Sequence, residues 1–215
     1  MITLKEQISE YNTEKAKQMP EDVLNTMAAV TVDLKSMELE DNSLKVGDKI
    51  PQFNLPDHNG TDRSLSGYLD KSVVVLSFYR GGWCPYCNLE LHALQKSLPQ
   101  IEAAGAKLVA ISPETPDHSL STREKNELAF DVLHDKGNYV AKSFGLVFAL
   151  PEVLRPIYKG AGIDIPGHNG DTTFELPMPA TYIVNQQGEI VYRFVDADYT
   201  KRLEPAEVVA KLNQG

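Results

Sequence analysis

Cys84 and Cys87 are the only cysteines of the 215-residue chain, and they stand three apart in Trp83-Cys84-Pro85-Tyr86-Cys87. An apolar, β-branched run from Ser72 to Tyr79 precedes them, joined by Arg80-Gly81-Gly82, and a helical pattern follows. A strand that turns into a helix at a cysteine sets its sulfur beside unpaired backbone N–H groups and the positive end of the helix dipole. Both favour the thiolate, the form of cysteine that attacks as a nucleophile. Cys84 falls at the N-cap or first turn, with Pro85 at the first helical position, where its missing N–H costs nothing. Arg80 adds positive charge there if its side chain points inward. Cys87, one turn later and deeper, is near enough to close a disulfide. Cys84 is therefore expected to attack and Cys87 to resolve.

Two other readings of the pair stay open. Zinc needs four ligands, and His58, His92, His118, His134 and His168 are scattered without a matching second pair. No metal is expected. Two buried thiols acting as small hydrophobes are the blander reading. The strand–turn–helix setting favours the redox dithiol. Trp83, the one tryptophan, either packs against a substrate or partner or fills space beside the loop, and it reports on Cys84 in both cases. Tyr79 and Tyr86 read as packing residues rather than proton donors, and Asp196-Ala-Asp198 as a solvated turn.

The elements that must hold the pair are legible as alternating strand and helix. Strand 72–79 is apolar throughout, as a strand covered on both faces should be. Helix 84–103 carries Leu89, Leu91, Leu94, Leu98 and Ile101 on or near one face. A strand at 107–112, a helix at 116–128, a strand at 130–133 and a helix at 138–144 ended by Gly145 follow. Residues 146–177 break this rhythm: a short helix with Leu150, Val153, Leu154 and Ile157 facing the core, then a long irregular excursion. A hairpin (180–185, 189–195) and a helix (205–212) end the chain. Ahead of the alternation lie a short hairpin around Asp57 to Gly60 and, at 3–36, two helices split by Pro20. The pattern is an α/β sandwich with an N-terminal helical extension, residues 1–44, on a main domain of residues 45–215. The extension packs on that domain or on a second subunit, which leaves a homodimer open.

Composition is that of an ordinary globular chain, 42% hydrophobic and 24% charged. A net charge of −9 argues against nucleic-acid binding, which needs clustered Lys and Arg. The longest apolar run, Val73 to Leu76, is far too short to span a membrane, and the N-terminus has no signal-peptide core. A cytoplasmic location is expected, where a two-cysteine motif is catalytic or metal-binding more often than a structural staple.

Phe78-Tyr-Arg-Gly-Gly-Trp-Cys-Pro-Tyr-Cys87, downstream of Val46-Gly-Asp-Lys-Ile-Pro-Gln-Phe-Asn-Leu-Pro56, resembles the peroxiredoxin-like branch of the alkyl hydroperoxide reductase and thiol-specific antioxidant family. Ala110-Ile-Ser-Pro113, Val132-Leu-His-Asp135 and Pro179-Ala-Thr-Tyr-Ile-Val-Asn185 extend the resemblance across residues 45–213. It implies a thioredoxin-like, peroxiredoxin-type fold and a thiol peroxidase that reduces hydrogen peroxide or organic hydroperoxides. Cys84 would form a sulfenic acid, Cys87 would capture it as a disulfide, and a thioredoxin- or glutaredoxin-like dithiol would reset the pair, with no cofactor. Two positions depart from the family's pattern. Gly81 stands where a Thr precedes the peroxidatic Cys by three, and Pro179 where an Arg precedes the penultimate strand. Pro179 instead resembles the cis-proline that faces the cysteines in thioredoxin-type oxidoreductases. That feature supports an alternative, a thiol–disulfide oxidoreductase acting on protein disulfides. A third reading is a redox-responsive binding protein that turns over nothing.

Overall fold

The computed structural model describes residues 2–214. Two helices open it, α1 (Leu4–Gln18) and α2 (Glu21–Ser36), separated at Pro20, whose ring removes the N–H that a continuous helix needs. A ribbon of β1 (Asn54–Pro56) and β2 (Asp62–Ser64) leads through α3 (Leu65–Leu69) into β3 (Val73–Phe78). Then come α4 (Pro85–Ala103), β4 (Ala106–Ser112), α5 (Pro116–Lys125), β5 (Asp131–His134) and α6 (Tyr139–Ser143). The excursion comprises β6 (Val147–Ala149), α7 (Arg155–Gly160), α8 (Ile165–Asn169) and β7 (Glu175–Pro177). Strands β8 (Ala180–Val184) and β9 (Ile190–Val195) and helix α9 (Pro205–Leu212) end it.

Five strands form the central sheet in the order β5-β4-β3-β8-β9. Strand β4 runs parallel to β3 and β5, while β8 is antiparallel to β3 and β9. Alternation along β3 serves two cores. Val74, Leu76 and Phe78 face the layer of Phe144, Leu146 and Tyr182. Val75 and the following Tyr79 face α4, against Leu91, Leu94 and Leu98. A strand buried on both sides reads as an unbroken apolar run, and that is what the sequence shows. The expected α/β sandwich is present, and the cysteine pair lies in the α4 layer.

The excursion is more regular than its glycines suggest. Strands β6 and β7 pair as an antiparallel ribbon, Val147 opposite Pro177 and Ala149 opposite Glu175, with α7 and α8 as the insert between them. Three-residue strands are too short to register as a period, so sequence alone read irregular chain. Of its apolar stripe, Leu150 and Leu154 enter the core as expected, whereas Val153 is 53% exposed. Helix α5 also ends before Leu128: Glu127 adopts a left-handed φ of 51°, and the Leu128 N–H bonds back to the Arg123 carbonyl.

The N-terminal helices pack on the main domain. Glu204, just ahead of α9, accepts hydrogen bonds from the first-turn N–H groups of α1 at Leu4 (3.2 Å) and Lys5 (2.6 Å). A carboxylate there neutralises both unpaired donors and the positive helix end. The Tyr86 hydroxyl donates to Asn12 Oδ1 at 2.6 Å, and Tyr11 meets the Tyr86 ring edge-on at 5.1 Å. Lys35 of α2 reaches Asp196 at 2.8 Å, while Val30 and Leu34 join the core.

Candidate active site

Cys84 caps α4 with extended backbone, and Pro85 follows as the first helical residue. Both cysteines are free thiols, 1% and 0% exposed. Cys84 opens onto a cavity of about 300 Å³ that it shares with Arg80, Trp83 and Tyr158. Cys87 lies one turn beneath, outside the cavity lining.

The turn that sets this geometry is Arg80-Gly81-Gly82. Gly81 has φ 148°, where side chains are strained. A Cβ on Gly81 would strike the Trp83 indole nitrogen and come within 3.1 Å of Glu114 Oε1, and one on Gly82 would strike the Thr122 hydroxyl. No threonine fits at position 81. Glu114 is itself buried and held from two sides, by the Thr122 hydroxyl and His168 Nδ1, each 3.1 Å away.

Arg80 does point inward. Its guanidinium lies over the rings of Tyr199 (4.5 Å), Trp83 (5.0 Å) and Tyr158 (5.7 Å), and Nη2 donates to the Tyr158 hydroxyl at 2.8 Å. A guanidinium tolerates such burial because it is weakly hydrated and stacks on aromatic faces.

A second buried arginine escaped the sequence reading. Arg202, between β9 and α9, donates from Nη2 to the Cys87 sulfur at 3.4 Å, and its Nε lies 2.8 Å from Glu90 Oε2. Both partners of this ion pair are buried. Glu90 sits one turn past Cys87 on the apolar stripe of α4, and a charge on such a stripe was the one available signal. Nothing in local spacing marks Arg202 as its partner.

The hydrogen bond between the thiols, helped by these charges, sets which one ionises. Burial opposes the Cys84 thiolate, but the Cys87 hydrogen bond outweighs it together with Arg80 and Arg202, and the pKa falls to about 6. Cys87 moves the other way, raised by burial, by its hydrogen bond to Cys84 and by the charge on that sulfur. Burial lifts the Glu90 carboxyl to about 7 despite Arg202.

Pro179 corrects an expectation. No cis peptide bond occurs among the described residues, so the bond before Pro179 is trans. The reason is continuity. Met178 donates to the Leu146 carbonyl at 2.8 Å and Ala180 opposite Phe78 begins β8, so the chain runs on extended from β7 with no reversal to accommodate. Pro179 is buried and does not line the Cys84 cavity. The positive charge acting on the two sulfurs comes from Arg80 and Arg202. Of the other predicted positions, Trp83 walls the cavity, and Pro85 borders it at the helix start.

A five-stranded α/β sandwich with a low-pKa cysteine at a strand-to-helix turn defines a thioredoxin-like thiol oxidoreductase. Residues 46–193 match the AhpC/TSA family, and the chain belongs to it. Peroxiredoxin Bcp of Escherichia coli is 31% identical over 105 residues, 49% of this chain and 67% of that protein. Peroxiredoxin Q of Populus jackii is 35% identical over 100 residues, 46% of each chain. In solved structures the fold recurs in peroxidoxin BcpB from Mycobacterium tuberculosis, with TM-score 0.63 and 22% identity over 80% of this chain and 97% of that one. The chain is a peroxiredoxin-like thiol peroxidase, an oxidoreductase that uses a peroxide and a thiol reductant. Among the described residues no helix is long and apolar enough to cross a membrane.

Proposed function

We propose that Cys84 is the peroxidatic cysteine and Cys87 the resolving one, acting on hydrogen peroxide and organic hydroperoxides, with a thioredoxin-like dithiol as reductant. The observation that carries this is the asymmetry of the pair: Cys84 is the acidic thiol at the cavity, and Cys87 the reluctant one beneath it. The Cys84 thiolate attacks the terminal oxygen of ROOH; the O–O bond breaks, an S–O bond forms, and RO⁻ leaves to be protonated. Cys87 then attacks the Cys84 sulfenic acid; a disulfide forms, and its proton and the hydroxide depart as water. Two reducing equivalents from the external dithiol restore both thiols. Arg80 and Arg202 stabilise the thiolates along this path. Residues 1–44 act in this scheme as an extension that roofs the site of the 45–215 domain, since Tyr11, Lys15, Met19 and Met27 line the same cavity as Cys84.

Stopped-flow fluorescence of Trp83 after mixing reduced protein with hydrogen peroxide tests the assignment. A fast phase, first order in peroxide, is expected in the wild type and in Cys87→Ser, and absent in Cys84→Ser. Cys87→Ser should accumulate a sulfenic acid that dimedone traps at Cys84. Loss of the fast phase in both variants would refute the assigned roles, and wild-type oxidation no faster than a free thiol of the same pKa would refute peroxide turnover.

A further inference from the structure

The roof of the Cys84 cavity comes from outside the family's matched region, which begins at residue 46. Helix α1 contributes Tyr11 and Lys15, Met19 follows just past its end, and α2 contributes Met27. Opposite them, Ile157 and Ile163 of the excursion complete a wall that is almost wholly apolar or aromatic. Lys15 is the exception. It is half-buried, makes no ion pair among the described residues, and its ammonium sits 5.7 Å from the centre of the Tyr86 ring. The cavity's other cation, Arg80, lies behind the aromatic rings and is committed to Tyr158. Lys15, Met19 and Ile157 also line an adjoining hollow of about 780 Å³ between α1 and α7, where Glu14 is paired with Lys17, so a substrate larger than hydrogen peroxide has room beside the cavity.

An ammonium half withdrawn from water, with only the Cys84 thiolate in the cavity to answer it, carries a desolvation cost that an incoming carboxylate relieves further. The apolar wall supplies the complementary term for a ring or alkyl body, and two methionines let it adapt in shape. We propose that Lys15 is a specificity-determining residue: it selects apolar hydroperoxides that carry a carboxylate, holding that carboxylate at the roof while the O–O bond meets Cys84. This rests on Cys84 being the peroxidatic cysteine. Hydrogen peroxide, with neither body nor charge, gains nothing from Lys15.

The test compares cumene hydroperoxide bearing a para-carboxylate with its methyl ester, which has similar bulk and no charge. The wild type should show a kcat/KM about tenfold or more in favour of the acid, as one charge-assisted contact provides, and added salt should shrink the ratio. Lys15→Met should bring the ratio near one, and Lys15→Arg should keep it. A binding measurement separates this inference from the peroxidase reading. 4-Isopropylbenzoate, which has the ring and carboxylate but no O–O bond, should quench Trp83 in the reduced wild type and in Lys15→Arg, and much more weakly in Lys15→Met. If the benzoate binds as expected while no peroxide oxidises Cys84 quickly, the peroxidase reading falls and the anion-selective cavity stands. Equal handling of acid and ester by the wild type would overturn the inference. So would a Lys15→Met variant that slows acid, ester and hydrogen peroxide by one common factor, because Lys15 would then act on the thiolate and not on the substrate.

Discussion

Two thiols one helical turn apart end up with opposite acidities because the hydrogen bond between them favours the thiolate on Cys84 and disfavours it on Cys87, with both arginines adding to the ease of ionising Cys84. Arg80 lies on the cavity side with Cys84, and Arg202 is shared between Cys87 and Glu90. Cys84 should therefore react with iodoacetamide at a rate that rises with pH around 6 and then levels off. Arg80→Met should move that midpoint upward and slow the reaction at pH 6 severalfold, while the plateau at high pH changes little. An unmoved midpoint would remove Arg80 from the argument. The same pKa has a thermodynamic sign. The folded value lies below the ordinary 9.0, so Cys84 adds stability to the reduced protein at alkaline pH and that stability is lost as pH falls towards 6. Urea titration of reduced wild type against Cys84→Ser across that window should show a steeper pH dependence in the wild type.

At the scale of elements, the β3–α4 turn and the α4–Arg202 tie carry the site. Gly82→Ala places a methyl against the Thr122 side chain, so a loss of about 1–3 kcal/mol is expected from overpacking. Thr122→Ala in the same chain should recover part of that loss, and equal denaturation midpoints for the single and double variants would show that the clash is relieved elsewhere. Arg202→Met leaves the Glu90 carboxyl buried beside nothing charged, a change that costs about 3–5 kcal/mol when a buried pair is broken from one side. Adding Glu90→Leu should return much of it. Glu90 and Cys87 share one stripe of α4, so the sequence marks the element that presents the carboxylate; the partner arrives from the far end of the chain because β9 and α9 pack there.

Across the whole molecule, the start of α1 meets the segment that leads into α9. Glu204 holds the first turn of α1, and α1 in turn closes the roof over Cys84. Thr3 remains as the N-cap of α1, so Glu204→Ala should cost about 0.3–1 kcal/mol, the usual worth of a carboxylate at a helix N-terminus. It should also speed amide exchange in the first turns of α1 and raise the rate of Cys84 alkylation at fixed pH. Unchanged exchange in α1 would mean that packing on Tyr86 alone holds the helix.

The sequence by itself determined what is local. The apolar run of β3 calls for a doubly covered strand. Pro20 splits the leading helices, and Cys-Pro at a strand-to-helix turn puts a thiol at a helix N-terminus. Each of these follows from neighbours within a few residues, where backbone sterics and side-chain period leave few choices. The short β6–β7 ribbon lay below that resolution. The trans bond at Pro179 did too, because it depends on how β7 runs into β8. Tertiary structure alone decided the charges around the sulfurs and the walls of the cavity. Arg202 meets Cys87, and Lys15 comes to line the cavity onto which Cys84 opens, only because α9 and α1 pack against α4. An electrostatic pairing between distant residues leaves no period or spacing in the chain to be read.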